Sequence, residues 1–119
     1  MLVALSLMAF AGTALAGGGG APPPFPRLGG AWYHVTINQA IKKTQHTLIL
    51  DRGRIVQVSP SQLMLRERDG TTPVIALSQS TIVVIDGVPS TVLDLKKRMD
   101  AQTMRIDGGA AVRVRATSF

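Results

Sequence analysis

The sequence predicts a small all-β domain, an antiparallel barrel of about six strands with one short helical turn. Apolar and polar residues alternate with a period of two from Trp32 onward, which is typical of half-buried strands. Asp-Gly pairs recur at Asp69, Asp86 and Asp107, and such pairs favour tight turns between strands. The 119 residues correspond to one domain, and the lack of cysteine excludes disulfides and thiolate metal sites.

The first predicted strands lie on either side of Gly53. Residues 33–37 alternate and indicate an opening strand, and residues 44–51 and 54–59 continue the pattern around the glycine. A glycine inside a strand is typical of a bulge or bend. We therefore expect one long bent strand shared by two halves of the barrel.

The next predicted elements are a hairpin and a single strand. Residues 62–69 and 73–78 flank the Asp69-Gly70 turn, and their alternation places Leu63 and Leu65 on one face. Residues 81–86 form the following strand. A barrel is favoured for these strands because closure protects strand edges.

The C-terminal part contains the one helix-like piece and a last hairpin. Residues 90–98 can be capped by Ser90, with cationic residues at the end where the helix dipole favours them. Residues 102–106 and 110–116 form the hairpin around Asp107-Gly108-Gly109.

The predicted core is aliphatic. No Phe, Tyr or Trp occurs between Gln39 and Ser118, so Ile, Leu, Val and Met must fill the interior. If Val83 and Ile85 face inward, Ile82 and Val84 face outward. These two lie under the N-terminal segment or at a partner surface, or they reflect strand propensity alone.

The N-terminal residues predict export. Residues 1–26 carry no charge, and Ala14-Leu15-Ala16 fits the pattern before a signal-peptidase site. The apolar stretch is shorter than the roughly 20 residues that span a bilayer. We predict a signal peptide over residues 1–16, with retention as an uncleaved anchor as the alternative. The Gly/Pro-rich residues 17–31 are predicted to be a disordered linker, since they offer little apolar surface, and residues 32–119 form the domain.

Several short motifs resemble one protein family. They are Asp51-Arg52-Gly53, Leu63-Met64-Leu65-Arg66, Asp69-Gly70, Ser80-Thr81, Asp86-Gly87 and Leu93-Asp94-Leu95-Lys96. Together they resemble the small β-barrel domains of uncharacterised exported proteins of actinobacteria and other bacteria, over residues 46–116. The resemblance implies a barrel similar to oligonucleotide/oligosaccharide-binding folds and no catalytic residues. Arg98 departs from it, because a glycine is typical there.

The sequence contains no recognisable catalytic or metal-binding motif. It lacks G-x-S-x-G, and His34 and His46 are isolated histidines outside any metal-ligand spacing. Glu67, the single glutamate, is expected to be solvated or ion-paired between two arginines, and the aspartates before glycine are expected to serve turns. We therefore predict no catalytic residue, no metal, no cofactor and no enzyme activity.

The net charge of +6 is the remaining clue to function. Alternation and the short helix predict a basic, outward-facing set that consists of Arg66, Arg68, Lys96, Lys97, Arg98, Arg105, Arg113 and Arg115. Such a surface attracts polyanions, or it keeps a small exported domain soluble. Nucleic acid is disfavoured, because single-strand binders stack bases on aromatic rings that this barrel lacks, and because export separates the protein from cellular nucleic acid.

These observations predict an exported, non-enzymatic binding or interaction module of the cell envelope. Its partner would be an envelope protein or an anionic envelope polymer. The alternative is recognition of nucleic acid or another anionic polymer through the basic surface of an oligonucleotide-binding-like barrel.

Overall fold

A computed structural model of the chain describes residues 22–118. The predicted signal peptide, residues 1–16, lies outside the described residues. Within residues 22–118 the fold is all-β, which confirms the predicted class, and no helix there is long and apolar enough to span a membrane. The strands are β1 (His34–Ile41), β2 (Thr44–Ser59), β3 (Gln62–Arg66), β4 (Val74–Ala76), β5 (Ile82–Ile85), β6 (Val88–Ser90), β7 (Asp100–Ile106) and β8 (Ala111–Thr117).

The strands form one sheet in the order β4-β3-β2-β7-β8-β5-β6, with β1 paired to β2. The path ends at β4 and β6 and does not close into a barrel within residues 22–118. Residues 22–118 contain eight strands where about six were expected. The β5–β8 pair is parallel, and the other pairs in this part of the chain are antiparallel. One added strand, β6, is built from residues Val88–Ser90, which include the start of the segment expected to be helical.

β2 is the long bent strand that the glycine pattern predicts. Leu48 and Leu50 belong to one apolar cluster, whereas Ile55, beyond Gly53, belongs to the other. The pairing of β2 with β3 shifts register between Ile55 and Gln57. A Cβ at Gly53 would overlap the backbone carbonyl of Arg66, so this crossing requires glycine.

An inner apolar cluster fills the curve of the sheet. Its buried side chains are aliphatic, as the sequence predicts, and include Leu65, Ile75, Val83 and Val114. Ile75 comes from β4 and Val83 from β5, strands near opposite ends of the hydrogen-bonded order. The sheet must therefore curve around this cluster.

An outer apolar cluster lies on the opposite face and is covered by the N-terminal segment. Leu48, Leu50 and Met104 are fully buried there, and Phe25 and Leu28 pack against them. Residues 22–31 are thus part of the folded unit, contrary to the predicted disordered linker over residues 17–31. The reason is that burial of a few apolar side chains is enough to hold this segment on the sheet when the sheet has an apolar face to receive them.

The predicted helix is a single 3₁₀ turn, Val92–Asp94. Its N-cap is Thr91, which forms a capping box with Asp94, whereas the Ser90 hydroxyl donates to the Val88 carbonyl at 2.9 Å. Arg98 has a φ of 78°, in the left-handed region. A glycine would adopt this conformation with less strain than Arg98 does.

Candidate functional site

A groove of about 840 Å³ lies between the N-terminal segment and the outer face of the sheet. We call it the outer groove. Its walls contain two aromatic rings, those of Phe25 and Trp32, and the side chains of Ile82 and Val84 also line it. The arginines that line it are Arg27, Arg52, Arg113 and Arg115, and no carboxylate lines it among the described residues.

Cross-strand pairing places the arginines of the outer groove in neighbouring rows. Arg52 pairs with Gln102, which pairs with Arg115 on the next strand. Arg113 lies two residues along β8 from Arg115 and therefore on the same face of the sheet. The floor of the outer groove is consequently built from regular strands, which hold these side chains at set spacings.

Arg113 holds Pro22 and Pro23 of the N-terminal segment against the sheet through hydrogen bonds. Its Nε donates to the Pro23 carbonyl and its Nη2 donates to the Pro22 carbonyl, both at 2.8 Å. Proline has no backbone N–H, so the carbonyls of a proline-rich segment need hydrogen-bond donors from elsewhere. A guanidinium, which has several donors, is a suitable partner for them.

Two arginines also stack on the aromatic rings of the outer groove. The Arg52 guanidinium lies 4.3 Å from the Trp32 ring centre, and that of Arg115 lies 4.9 Å from the Phe25 ring centre. Both distances fall within the range of cation–π attraction. Arg52 also donates from Nε to the Trp32 carbonyl at 2.9 Å, and Arg115 donates from Nη2 to Gln102 Oε1 at 3.1 Å.

The predicted basic residues differ in whether they line the outer groove. Arg113 and Arg115 line the outer groove, and the other predicted members do not. The remaining exposed members are Arg66, Arg68, Lys96, Lys97 and Arg98. Arg27 and Arg52, which complete the basic lining, were not predicted, because one belongs to the presumed linker and the other to a strand covered by it.

Arg105 lies on the inner side of the sheet, contrary to its predicted outward position. The alternation places Arg105 opposite Met104, and Met104 is buried in the outer apolar cluster. Both faces of β7 are therefore covered at Met104 and Arg105. A side chain that points away from the outer apolar cluster is consequently not exposed at this position. Arg105 Nη2 lies 3.7 Å from Asp51 Oδ2.

A second candidate site, the inner polar cluster, consists of His34, Asp51, Glu67 and Arg105. His34 of β1 and Asp51 of β2 are directly paired residues, so their side chains share a face. His34 Nδ1 lies 2.6 Å from Asp51 Oδ1. Glu67 follows β3, and the absent Cβ of Gly53 allows the backbone at residues 66–67 to cross β2 closely enough to bring Glu67 to Asp51.

Both carboxylates of the inner polar cluster are buried, with exposed fractions of 1% for Asp51 and 6% for Glu67. Thr71 Oγ1 donates to Glu67 Oε1 at 2.9 Å. Asp51 Oδ2 and Glu67 Oε2, by contrast, accept no hydrogen bond from an N–H or hydroxyl group of the described residues, whereas the two side chains form a hydrogen bond with each other. The sequence-based expectation that Glu67 is solvated or ion-paired is therefore wrong, because Glu67 follows the end of β3 at Arg66 and lies buried beside Asp51.

Burial raises the pKa of Glu67 from 4.5 to about 7, and the neighbouring Asp51 carboxyl raises it further in the same direction. A carboxyl in this setting holds its proton more strongly because the charged form loses solvation and faces a like charge. One ligand atom from each of His34, Asp51 and Glu67 lies within 4.8 Å of the others. The residues are far apart in the chain, so a search for local ligand spacing does not find them.

The three aspartates that precede glycine serve turns, as the sequence predicts. Asp86 and Asp107 have φ values of 52° and 53°, which Asx residues tolerate. Asp69 accepts from the Thr71 N–H at 3.0 Å, and this bond lowers the pKa of Asp69. Asp107 accepts from the backbone N–H of Thr47 at 2.9 Å.

Comparison of the chain with protein-family models, curated proteins and solved structures finds no match. The family resemblance therefore stays a prediction.

Proposed function

We propose that the domain is a non-enzymatic binding module of the cell envelope that binds an anionic polymer in the outer groove. Residues 1–16 would direct its export, as the sequence predicts. The observation that carries the proposal is the lining of the outer groove, which combines four arginines with no carboxylate among the described residues.

The charge of the outer groove supports an anionic ligand. Like charges gathered in a cleft raise the local concentration of counter-ions and of charged ligands. Guanidinium groups present planar, paired donors that match carboxylate, sulfate and phosphate oxygens. Arg27 and Arg115 are exposed, so they can contact a ligand without leaving a buried position.

The apolar walls support a ligand with flat or ring-shaped units. Phe25 and Trp32 supply rings, and the outward residues Ile82 and Val84 line the same outer groove. A polymer that alternates anionic groups with sugar rings could use both the guanidinium and the apolar contacts. The same rings are the observation that favours the second candidate, single-stranded nucleic acid, because aromatic rings stack on bases.

The single tryptophan of the chain gives a direct assay, since Trp32 lines the outer groove. We would titrate the protein with a sulfated polysaccharide at low salt and follow tryptophan fluorescence. Saturable binding that changes the emission and weakens with salt is expected. A short single-stranded oligonucleotide in the same assay tests the second candidate.

Two double variants with equal charge loss separate the outer groove from a diffuse charge effect. Arg27→Ala with Arg115→Ala removes two cations from the outer groove, whereas Lys96→Ala with Lys97→Ala removes two exposed cations elsewhere. We expect the first pair to weaken binding about tenfold or more, which corresponds to ~1.4 kcal/mol, and the second pair to have a small effect. Equal weakening by both pairs would contradict a defined groove, and unchanged emission of Trp32 in the wild type would contradict it as well.

A further inference from the structure

The inner polar cluster carries a second inference, separate from the outer groove. Asp51 alternates with Leu50 and Arg52 along β2, so its side chain points to the opposite face from the outer groove. We propose that His34, Asp51 and Glu67 bind a divalent transition-metal ion of the zinc class.

The donor set matches such an ion in type. One imidazole nitrogen and two carboxylate oxygens are borderline ligands of the kind found around Zn²⁺, whereas Mg²⁺ and Ca²⁺ prefer oxygen alone. Three protein ligands leave room for water at the ion. The His34 side chain is 47% exposed, so this side of the cluster is open to solvent and provides a path for the ion.

The distances require side-chain adjustments of about an ångström. The three ligand atoms lie within 4.8 Å of one another. Ligands placed about 2.1 Å from one tetrahedral ion are about 3.4 Å apart. Rotations of the His34 and Glu67 side chains that shift their ligand atoms by about an ångström would therefore bring the three atoms to coordinating positions.

The Asp51 and Glu67 carboxyls each have one buried oxygen whose only hydrogen-bond partner is the other carboxyl, and a divalent ion would take the place of the proton between them. Asp51 Oδ2 and Glu67 Oε2 are buried and accept no hydrogen bond from an N–H or hydroxyl group of the described residues. Buried carboxylate oxygens are normally paired or coordinate a metal. Arg105 lies 3.7 Å from Asp51 Oδ2 and supplies positive charge without a hydrogen bond to it, so the oxygen retains its coordinating lone pairs.

The other histidine–aspartate pair of the chain shows the contrast. His46 Nδ1 lies 2.5 Å from Asp107 Oδ2, and Asp107 Oδ1 accepts from the Thr47 N–H at 2.9 Å. Both oxygens of Asp107 are thus in use, and the aspartate is exposed. The His46–Asp107 pair therefore provides a matched control for the His34–Asp51 pair.

The test is calorimetric titration of the chelator-treated full chain with ZnCl₂, with MgCl₂ as the comparison ion. We expect one zinc ion per chain in the wild type and in His46→Asn, and weak or absent magnesium binding. Loss of an outer-shell partner commonly weakens a metal site about 10–100-fold, so removal of a ligand in His34→Asn or Glu67→Gln should weaken zinc binding at least about tenfold.

Glu67→Gln keeps the size of the side chain, so it preserves the test if another variant fails to fold. The proposal is overturned if the wild type does not bind zinc, or if His34→Asn and Glu67→Gln bind it as the wild type does. It is equally overturned if His46→Asn loses as much affinity, or if magnesium binds as tightly as zinc. None of these outcomes depends on polymer binding, so this proposal and that of the outer groove fail separately.

Discussion

Replacing Glu67 by glutamine should stabilise the metal-free protein at neutral pH. The pKa of Glu67 is raised from 4.5 to about 7, first because the carboxyl is buried and then because it faces Asp51. In the unfolded chain the same carboxyl loses its proton near 4.5. Glutamine has nearly the shape of the protonated acid and cannot ionise, so it removes this difference between the two states.

The sign of the effect follows from proton binding. Between pH 4.5 and 7 the folded protein retains a proton that the unfolded chain has released, so the free energy of unfolding falls as pH rises. One pKa unit corresponds to about 1.4 kcal/mol, so the shift amounts to about 3 kcal/mol by pH 7. The lowered pKa values of Asp69 and Asp86 act in a lower pH range and in the opposite direction, because their stabilisation is lost as pH falls.

The measurement is urea unfolding of both proteins at several pH values from 4.5 to 7, with EDTA present. Near pH 4.5 the two proteins should have similar stabilities. Toward pH 7 Glu67→Gln should become the more stable of the two, by up to about 3 kcal/mol. Parallel pH curves would refute the assignment of Glu67 as a buried carboxyl with a raised pKa.

Three further substitutions, one of them with a matched control, test the packing of the fold. Leu65→Asp should abolish cooperative unfolding, because an unpaired charge in the core costs about 3–5 kcal/mol or more, while Leu93→Asp at an exposed position should change stability little. Gly53→Ala should cost about 1–3 kcal/mol in a urea titration, since the added methyl overlaps the neighbouring backbone. Arg113→Ala should release the N-terminal segment and speed tryptic cleavage after Arg27; an unchanged cleavage rate would contradict the contacts of Arg113 with that segment.

Much of the fold could be predicted because its determinants are local. Alternation marks strands, and the Asp-Gly pairs mark turns in which Asp86 and Asp107 adopt positive φ. Gly53 marks the bend of β2. The sequence carries a weaker signal for the hairpin between β1 and β2, because Lys42 and Lys43 adopt φ values of 50° and 69° without a turn signature.

Burial on two faces could not be predicted from alternation. A period of two shows that Met104 and Arg105 point to opposite faces, but it does not say which faces are covered. The N-terminal segment covers one face and the curve of the sheet encloses the other. For this reason alternation alone predicts a solvent-exposed position for Arg105, although Arg105 lies beside Asp51.

The candidate sites depend on contacts between distant parts of the chain. His34, Asp51 and Glu67 meet because β1 pairs with β2 and because the backbone after β3 crosses Gly53. The outer groove exists because Phe25 of the N-terminal segment docks on β2 and β7. No residue spacing in the sequence predicts either the inner polar cluster or the outer groove.

By itself, the sequence determined an all-β chain with an aliphatic core and Asp-Gly turns, because strand alternation and turn conformation depend on residues close together in the chain. Only the tertiary structure decided which charges are buried together and which line a groove. The physical reason is that burial and electrostatic environment depend on what packs against a residue, and in this protein those neighbours come from other strands and from the N-terminal segment.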